Sequence, residues 1–359
     1  MVDWSASMQQ TFEYCIVDPG TWKDIEILRT VKSCTINRDL GTETLGSATF
    51  DITTSVGECY IRVYLVTIQN GIRERHPLGT FLVQTPSSEF DGKVRGVSMD
   101  AYTPLLELKE NKPPIGYFVQ KGEDPLDRAY RIVREKVRAP VIAPNEAKNL
   151  YFDFVANTED TWMSFTDDLL ANANYIFDLD ELGRISFAPK RDIASLQPVW
   201  TYNDNNSSIL HPEFSMDHDL YEIPNVVEVI FSTNSITAYT RIPNEDPNSP
   251  TSIVNRGREI LYRDANPSFM GTDPNLPFSE IQARLDLYAE QLLKDLSTVE
   301  YTISYTHGYC PVRLGDCVRL NYTRADVTDI KAKVVSQSLK CEPGCPVTEK
   351  AVFTTKLWR

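Results

Sequence analysis

The sequence predicts a β-dominated α+β protein with a β-barrel module at each end, an α+β domain and a helix-containing insert. Three observations carry this prediction. Residues 1–110 hold a series of short alternating strands separated by turn chemistry. Helix signals begin only after Asn111-Lys112-Pro113-Pro114. Strict period-two patterning then returns after one long amphipathic helix, in residues 299–322. The expected division is 1–110 for the first β module and 111–205 for the α+β domain. The second β module would be assembled from 206–235 and 298–359, and 236–297 would form the insert.

In the first module, Phe12, Tyr14 and Ile16 alternate with polar neighbours. Residues 25–36 and 48–52 are further strands, with a polar turn at 39–46. Residues 60–68 are β-branched and aromatic, and Asn70-Gly71 supplies the two left-handed positions of a type I′ hairpin turn. Residues 81–84 return after it, and 93–99 follow Asp91-Gly92. Several short strands with regular turns specify a sandwich or barrel.

In the second domain, Asp124-Pro125 is an N-cap followed by proline at the first helical position, where the missing N–H costs nothing. Leu126, Ala129, Tyr130, Val133 and Val137 share one face, and Pro140 stops the helix. A second helix spans 160–173, with Trp162, Phe165, Leu169 and Ala173 on one side. These side chains are expected to pack on a hairpin in which Tyr175, Phe177 and Leu179 pair with Ile185 and Phe187 across residues 180–183.

Residues 226–232 are apolar on both faces apart from Glu228, which marks a central strand. With no obvious strand nearby in sequence, it is expected to pair with the C-terminal strands. Residues 234–275 are rich in Asn, Asp, Pro and Ser and read as long loops. Ser279 and Gln282 suggest a capping box for a helix whose stripe is Ile281, Leu285, Tyr288, Ala289, Leu292 and Leu296. Val299, Tyr301, Ile303 and Tyr305 then alternate with polar residues. Pro311 interrupts the strand, and Leu314-Gly315-Asp316 turns the chain into strands at 317–322, 331–339 and 351–358. This C-terminal part reads as a small antiparallel barrel, and its terminal Leu357-Trp358 is expected to be docked. Residues 77–83 faintly echo 311–318.

Composition narrows the function. Acidic residues outnumber basic ones 50 to 36, a net charge of −14, which disfavours long-range attraction to nucleic acid. Hydrophobic residues make up 42%, and no run approaches the roughly 18 apolar residues of a membrane span. No basic-then-apolar leader opens the chain. Seven cysteines, an odd number, suit reduced thiols made in a cytosol.

No phosphate loop, GxGxxG, HExxH or GxSxG occurs. His76, His211, His218 and His307 are scattered, and His211 and His218 read as exposed loop residues. Asp167-Asp168 is expected to face solvent from a helix. Asp178, Asp180 and Glu181 surround a turn, where such residues serve local geometry. Tyr301, Tyr305 and Tyr322 suit packing better than sugar stacking. Cys310, Cys317, Cys341 and Cys345 cluster near the C-terminus at intervals matching no standard ligand set. Free thiols, a disulfide and a metal all remain open for them. A hairpin centred near Asp326 would place Cys310 opposite Cys341 or Cys345, and Cys317 opposite Ser336. No catalytic, cofactor-binding or metal-binding residue is assigned.

Three short stretches resemble a known family: Arg38-Asp39-Leu40 through Gly46-Ser47-Ala48, Ile223-Pro224-Asn225-Val226-Val227-Glu228-Val229, and Leu314-Gly315-Asp316-Cys317-Val318. They are similar to hub proteins of long-tailed bacteriophage tails. That group includes the T4-type baseplate hub and the hubs of defective Bacillus phage tails, and more widely the spike proteins of type VI secretion. The resemblance follows the order of the modules along nearly the whole chain and involves no catalytic motif. It implies two tube-type β-barrel domains around an α+β domain and an insert. It also implies a homotrimeric ring whose six barrels continue a hexameric tail tube and pass DNA through the lumen. The implied partners are the tail tube or a distal tail protein, the central spike, baseplate wedge proteins and the tape measure protein. Neither a membrane nor specific nucleic-acid binding is implied, and no cofactor. The implied location is the virion tail tip, after synthesis in the host cytoplasm. Some tail-tip relatives continue into a peptidase or lysozyme domain, so this chain's end at Arg359 would assign wall degradation to another protein. The competing functions are a tail-tip polysaccharide hydrolase and a carbohydrate-binding adhesion module.

Overall fold

The computed structural model describes residues 2–54, 56–90, 95–151, 153–205, 209–218, 220, 223–232, 237–265 and 277–356. The chain opens with seven strands: β1 (Gln9–Val17), β2 (Asp24–Ile27), β3 (Val31–Asp39), β4 (Gly46–Ile52), β5 (Tyr60–Gln69), β6 (Ile72–Phe90) and β7 (Arg95–Tyr102). The next section mixes helices with short strands. It comprises α1 (Leu106–Lys109), β8 (Phe118–Val119), α2 (Pro125–Lys136), β9 (Phe154–Val155), α3 (Trp162–Asn172), β10 (Tyr175–Leu179), β11 (Ile185–Pro189) and β12 (Pro198–Asn203). Then come β13 (Leu210–His218), β14 (Val226–Ser232), β15 (Thr237–Pro243), α4 (Ile253–Arg256), β16 (Leu261–Ala265) and α5 (Phe278–Leu296). The chain closes with β17 (Thr298–Gly308), β18 (Cys317–Tyr322), β19 (Val327–Lys340) and β20 (Pro346–Lys356).

The molecule divides into two compact units, Met1–Phe214 with Ser304–Ala351, and Ser215–Ile303 with Val352–Arg359. The β-dominated α+β class holds. Most strands join one 13-stranded sheet of order β13-β17-β20-β19-β3-β4-β7-β6-β5-β1-β2, with β18 paired to both β12 and β19. No pair of barrels closes among the described residues. The reason lies in β3. Instead of sealing the first set of strands, its residues 35–39 pair with residues 336–340 of β19.

Local chemistry sets the hairpins and helix starts. Asn70 and Gly71 have φ of 53° and 78°, and Gln69 pairs with Ile72, as a two-residue hairpin demands. The Asp124 side chain accepts a hydrogen bond from Leu126 N, and Pro125 begins α2. Thr161 and Ser164 form a reciprocal capping box on α3. The Asp91-Gly92 turn and the terminal Leu357-Trp358 lie outside the described residues.

In the first unit, α2, α3 and the β10–β11 hairpin share one core. Trp162, Phe165 and Leu169 are buried with Tyr175, Phe177 and Ile185. The hairpin registers Phe177 against Phe187 and Leu179 against Ile185, as its alternation predicts. Its tip is pinned by main-chain acceptors. Trp22 Nε1 donates to Leu182 O at 2.7 Å, Arg62 Nη2 donates to the same oxygen at 3.1 Å, and Thr80 Oγ1 donates to Glu181 O at 3.3 Å. Gly183 (φ 75°) sits there because a Cβ would lie 2.9 Å from the Thr80 side chain.

The second unit corrects three sequence expectations. β14 pairs with β15 and β16 in a separate three-stranded sheet, not with the C-terminal strands, although it is central there as its two apolar faces require. Residues 237–243 and 261–265, expected to be loop, are strands. β16 is almost wholly exposed and so carries no period-two signal. Val227 and Val229 pack with Ile281, Leu285, Ala289 and Leu293 of α5. That helix starts after Pro277 with no side-chain cap, so Ser279 lies inside it and forms no capping box. Pro277 itself presets the entry with φ of −66°.

Candidate functional site

The first unit contains a buried polar network at the base of β17, β19 and β20. His307 and Glu349 are both fully buried. The period of two in β17 turns Tyr305 and His307 inward together. His307 Nδ1 lies 2.6 Å from Gly308 O, and its Nε2 lies 3.3 Å from Glu349 Oε1. Both partners are acceptors, which only the imidazolium satisfies. Burial opposes the charge on His307, but hydrogen bonds to Cys310 and Glu349 and the nearby carboxylate outweigh it, raising its pKa to about 10. Burial likewise pushes the Glu349 carboxyl up, while His307, Tyr305 and Gln337 hold it below the usual range. Glu349 Oε2 accepts from Tyr305 Oη at 2.6 Å, and Oε1 accepts from Gln337 Nε2 at 2.5 Å.

The network reaches a cavity of about 330 Å³ in the same unit. Arg38 Nη1 donates to Gln337 Oε1 at 2.9 Å and lies 3.8 Å from Glu181. Arg313 donates to Glu181 at 3.0 Å and to Leu179 O at 3.0 Å. The cavity wall combines Arg38, Arg313 and Lys333 with Asp178, Glu181 and Asp316. Sequence reading assigned Asp178, Asp180 and Glu181 to turn chemistry. Asp180 does serve the turn, accepting from Arg184 N at 2.8 Å, whereas Glu181 and Asp178 face Arg313. Asp167 and Asp168 are exposed on α3, as expected.

The histidines divide differently from expectation. His211 and His218 belong to strand β13 rather than a loop. His307, which sequence reading set aside, is the chemically distinctive one. The odd placement of a histidine on the inward side of an apolar strand face was the available signal. Its Nδ1 also lies 4.0 Å from Cys310 Sγ, and Tyr202 Oη lies 3.1 Å from both Nε2 and that sulfur. Thiol and imidazole are the groups of a nucleophilic pair. Here Cys310 is 2% exposed and His307 0%, so the pair is sealed in the core and braces it.

All seven cysteines are free thiols. Cys317 stands opposite Lys333, not Ser336, because the turn after Tyr322 is short and Asp326 (φ 56°) starts β19 at Val327. Cys310 belongs to the histidine network rather than opposite Cys341 or Cys345. The real thiol group near Cys341 is Cys34, joined by Cys341 N donating to Cys34 O at 2.9 Å. Burial and the neighbouring Cys341 push the Cys34 thiol up, as burial does for Cys345. Such thiols are protonated and inert at neutral pH. Among the described residues no metal-binding group of side chains occurs. Outside the core, Phe118 pairs with Val155 in the short β8–β9 ladder. Both are more than half exposed, and nearby Ile115 is 96% exposed.

No family model matches the chain, and no curated protein matches it by sequence. Solved structures do match. The tail protein from Neisseria meningitidis MC58 is similar with a TM-score of 0.61 at 13% identity, covering 96% of this chain and 97% of that one. The 43 kDa tail protein of prophage MuSo2 from Shewanella oneidensis gives 0.59 at 10% identity, covering 95% and 98%. A chain of the Francisella PdpA–VgrG complex gives 0.55 at 9% identity, with 96% of this chain covering 52% of that one. The fold of this chain is a phage tail and baseplate hub-like fold.

Proposed function

We propose that this chain is a structural hub of a phage tail tip or baseplate, working as a homotrimeric ring and not as an enzyme. The observation that carries the reading is end-to-end similarity to tail proteins, together with two five-strand modules of one strand order in a single chain. Three copies present six such modules, which reconciles a hexameric tail tube with a spike of threefold symmetry. The tube or a distal tail protein would sit above, the spike below, with wedge and tape measure proteins as further partners and DNA passing through the lumen. The net charge of −14 suits a wall to which phosphates do not adhere. The proposed parts are the tube domains at 1–110 and at 206–235 with 298–359, the α+β domain at 111–205 and the insert at 236–297. The sealed His307–Cys310 pair favours a structural role over hydrolysis.

Light scattering on the purified protein tests this. A particle of three 40.8 kDa chains is expected, with no clearing of cell-wall polysaccharide. A monomer at all concentrations that also fails to co-purify with tail components overturns the hub reading. Clearing of wall material favours the hydrolase.

A further inference from the structure

The two β modules run β3-β4-β7-β6-β5 and β13-β17-β20-β19-β18, and they meet where β3 pairs with β19. That ladder registers Ile36 against Leu339 and Thr35 against Lys340, so the next pair along it is Cys34 with Cys341. The main chain continues the pairing, with Cys341 N donating to Cys34 O at 2.9 Å. Period-two alternation then sets the side chains. Ile36 and Leu339 are buried, Lys340 is exposed, and the two cysteines turn back to the core. Cys34 belongs to the core of the first module and Cys341 packs against it.

Directly opposite residues of an antiparallel pair have Cα atoms about 4.5–5.5 Å apart, within the roughly 4.4–6.8 Å that a disulfide spans. The Cys34 thiol is in hydrogen-bonding contact with Cys341, and the Tyr14 hydroxyl contacts the same Cys341 side chain. The two thiols differ in access. Cys34 is 3% exposed, whereas Cys341 is partly exposed at the start of the exposed turn Glu342-Pro343-Gly344. A reagent in solution therefore reaches Cys341, while Cys34 meets only the sulfur beside it. Cys345 is fully buried and lies beyond the turn, with a left-handed backbone (φ 39°), outside the ladder.

We propose that Cys34 and Cys341 form a disulfide when the protein enters oxidising surroundings, and that this bond staples β3 of the first module to β19 of the second. With glutathione disulfide as the oxidant, the Cys341 thiolate attacks one of its sulfurs, the glutathione S–S bond breaks, and one glutathione leaves as thiolate. Cys34 then gives up its proton and attacks the Cys341 sulfur of the mixed disulfide, and the second glutathione leaves as thiolate. The two released thiolates take up the two protons. Two protein thiols are thereby oxidised by two electrons, and glutathione disulfide is reduced to two thiols. The bond closes a loop of about three hundred residues, and a cross-link restricts the unfolded chain more as its loop lengthens. It is independent of the hub reading. A reducing cytosol keeps the pair as thiols, and the surroundings outside a cell supply the oxidant.

Thiol counting and peptide mapping of the full chain test it. The native protein is held with glutathione disulfide, its remaining thiols are alkylated in denaturant, and it is digested with trypsin without reduction. A loss of two of the seven thiols is expected, together with a reducible pair joining the peptides 33–38 and 341–350. The second peptide also carries Cys345, so Cys345→Ala should keep the linked pair and Cys341→Ala should abolish it. Amide hydrogen exchange of residues 35–39 and 336–340 should be slower in the oxidised protein than in the reduced one, and dithiothreitol should reverse the difference. Recovery of all seven thiols overturns the proposal, as does a lasting glutathione adduct on Cys341, a Cys341–Cys345 bond, or a linked pair that survives Cys341→Ala. Unchanged exchange in a correctly linked protein overturns the staple. The count and the map are read on the wild-type chain, so a variant that does not fold leaves both decisive.

Discussion

The two β modules share their strand order but not their interiors. The first is filled by apolar side chains, among them Ile36, Phe50, Leu65, Leu78 and Met99, all fully buried. The second buries an ion pair, two tyrosines and a glutamine where such apolar groups would be expected. One topology thus tolerates two kinds of core. Alternation and turn chemistry set the strands and hairpins, whereas the interior needs only to be full and hydrogen-bonded. The difference in interior makes the modules fail in different ways.

The largest expected effect is in the second module. Glu349→Ala leaves a buried imidazolium without its carboxylate and two donors without their acceptor, and is expected to cost about 3–5 kcal/mol in denaturant unfolding. Leu78→Ala in the first module creates a cavity and should cost about 2–5 kcal/mol. The contrast sharpens in the double variant Glu349→Gln with His307→Gln, which replaces the charges by neutral amides. That variant should recover part of the Glu349→Ala loss, and no recovery would mean that packing, not charge, holds the second module together.

A second effect depends on pH. The folded value of His307, about 10, lies above its ordinary 6.5, so its stabilisation is complete below pH 6.5 and is lost as pH rises through about 10. Glu349 is lowered from 4.5, so its contribution is present above that value and is lost as pH falls through the lower one. The stability gap between wild type and His307→Gln should therefore shrink from pH 6.5 to 10. Leu78→Ala should keep a constant gap across that range. A pH-independent gap for His307→Gln would place a neutral imidazole in the core.

The smallest expected effect comes from the surface of the same module. Arg319 and Asp329 pair at 2.6 Å but are 43% and 72% exposed. Arg319→Ala should change stability by about 0.5 kcal/mol or less, with salt reducing it further. A loss comparable to that of Glu349→Ala would remove the distinction between the buried and exposed pairs.

The internal echo between residues 77–83 and 311–318 misleads. The first stretch lies within β6 and the second leads into β18, which corresponds to β5 in the shared strand order. The repetition resides in topology, where neighbouring strands and not short identities are conserved between the modules.

Much of the fold was legible in the sequence alone, because local physics decides it. Asn70-Gly71 commits the chain to a hairpin through backbone sterics. Asp124-Pro125 commits it to a helix start through an orphan N–H and a preset φ. The spacing of Trp162, Phe165 and Leu169 commits one face of α3 to the core. Only the tertiary structure decided which strands meet. β14 found its partners in β15 and β16, two short strands inside a stretch whose Asn, Asp, Pro and Ser content reads as loop, and β19 took β3 as a neighbour from about three hundred residues away in sequence. The same holds for the site. His307, Glu349, Gln337 and Tyr202 lie on four different strands and meet only when the sheet folds. Pairing across such separations depends on the closure of long loops and on the summed burial of many side chains. No local motif records either quantity, so turns and faces are read from the sequence while partners and buried charges are read from the fold.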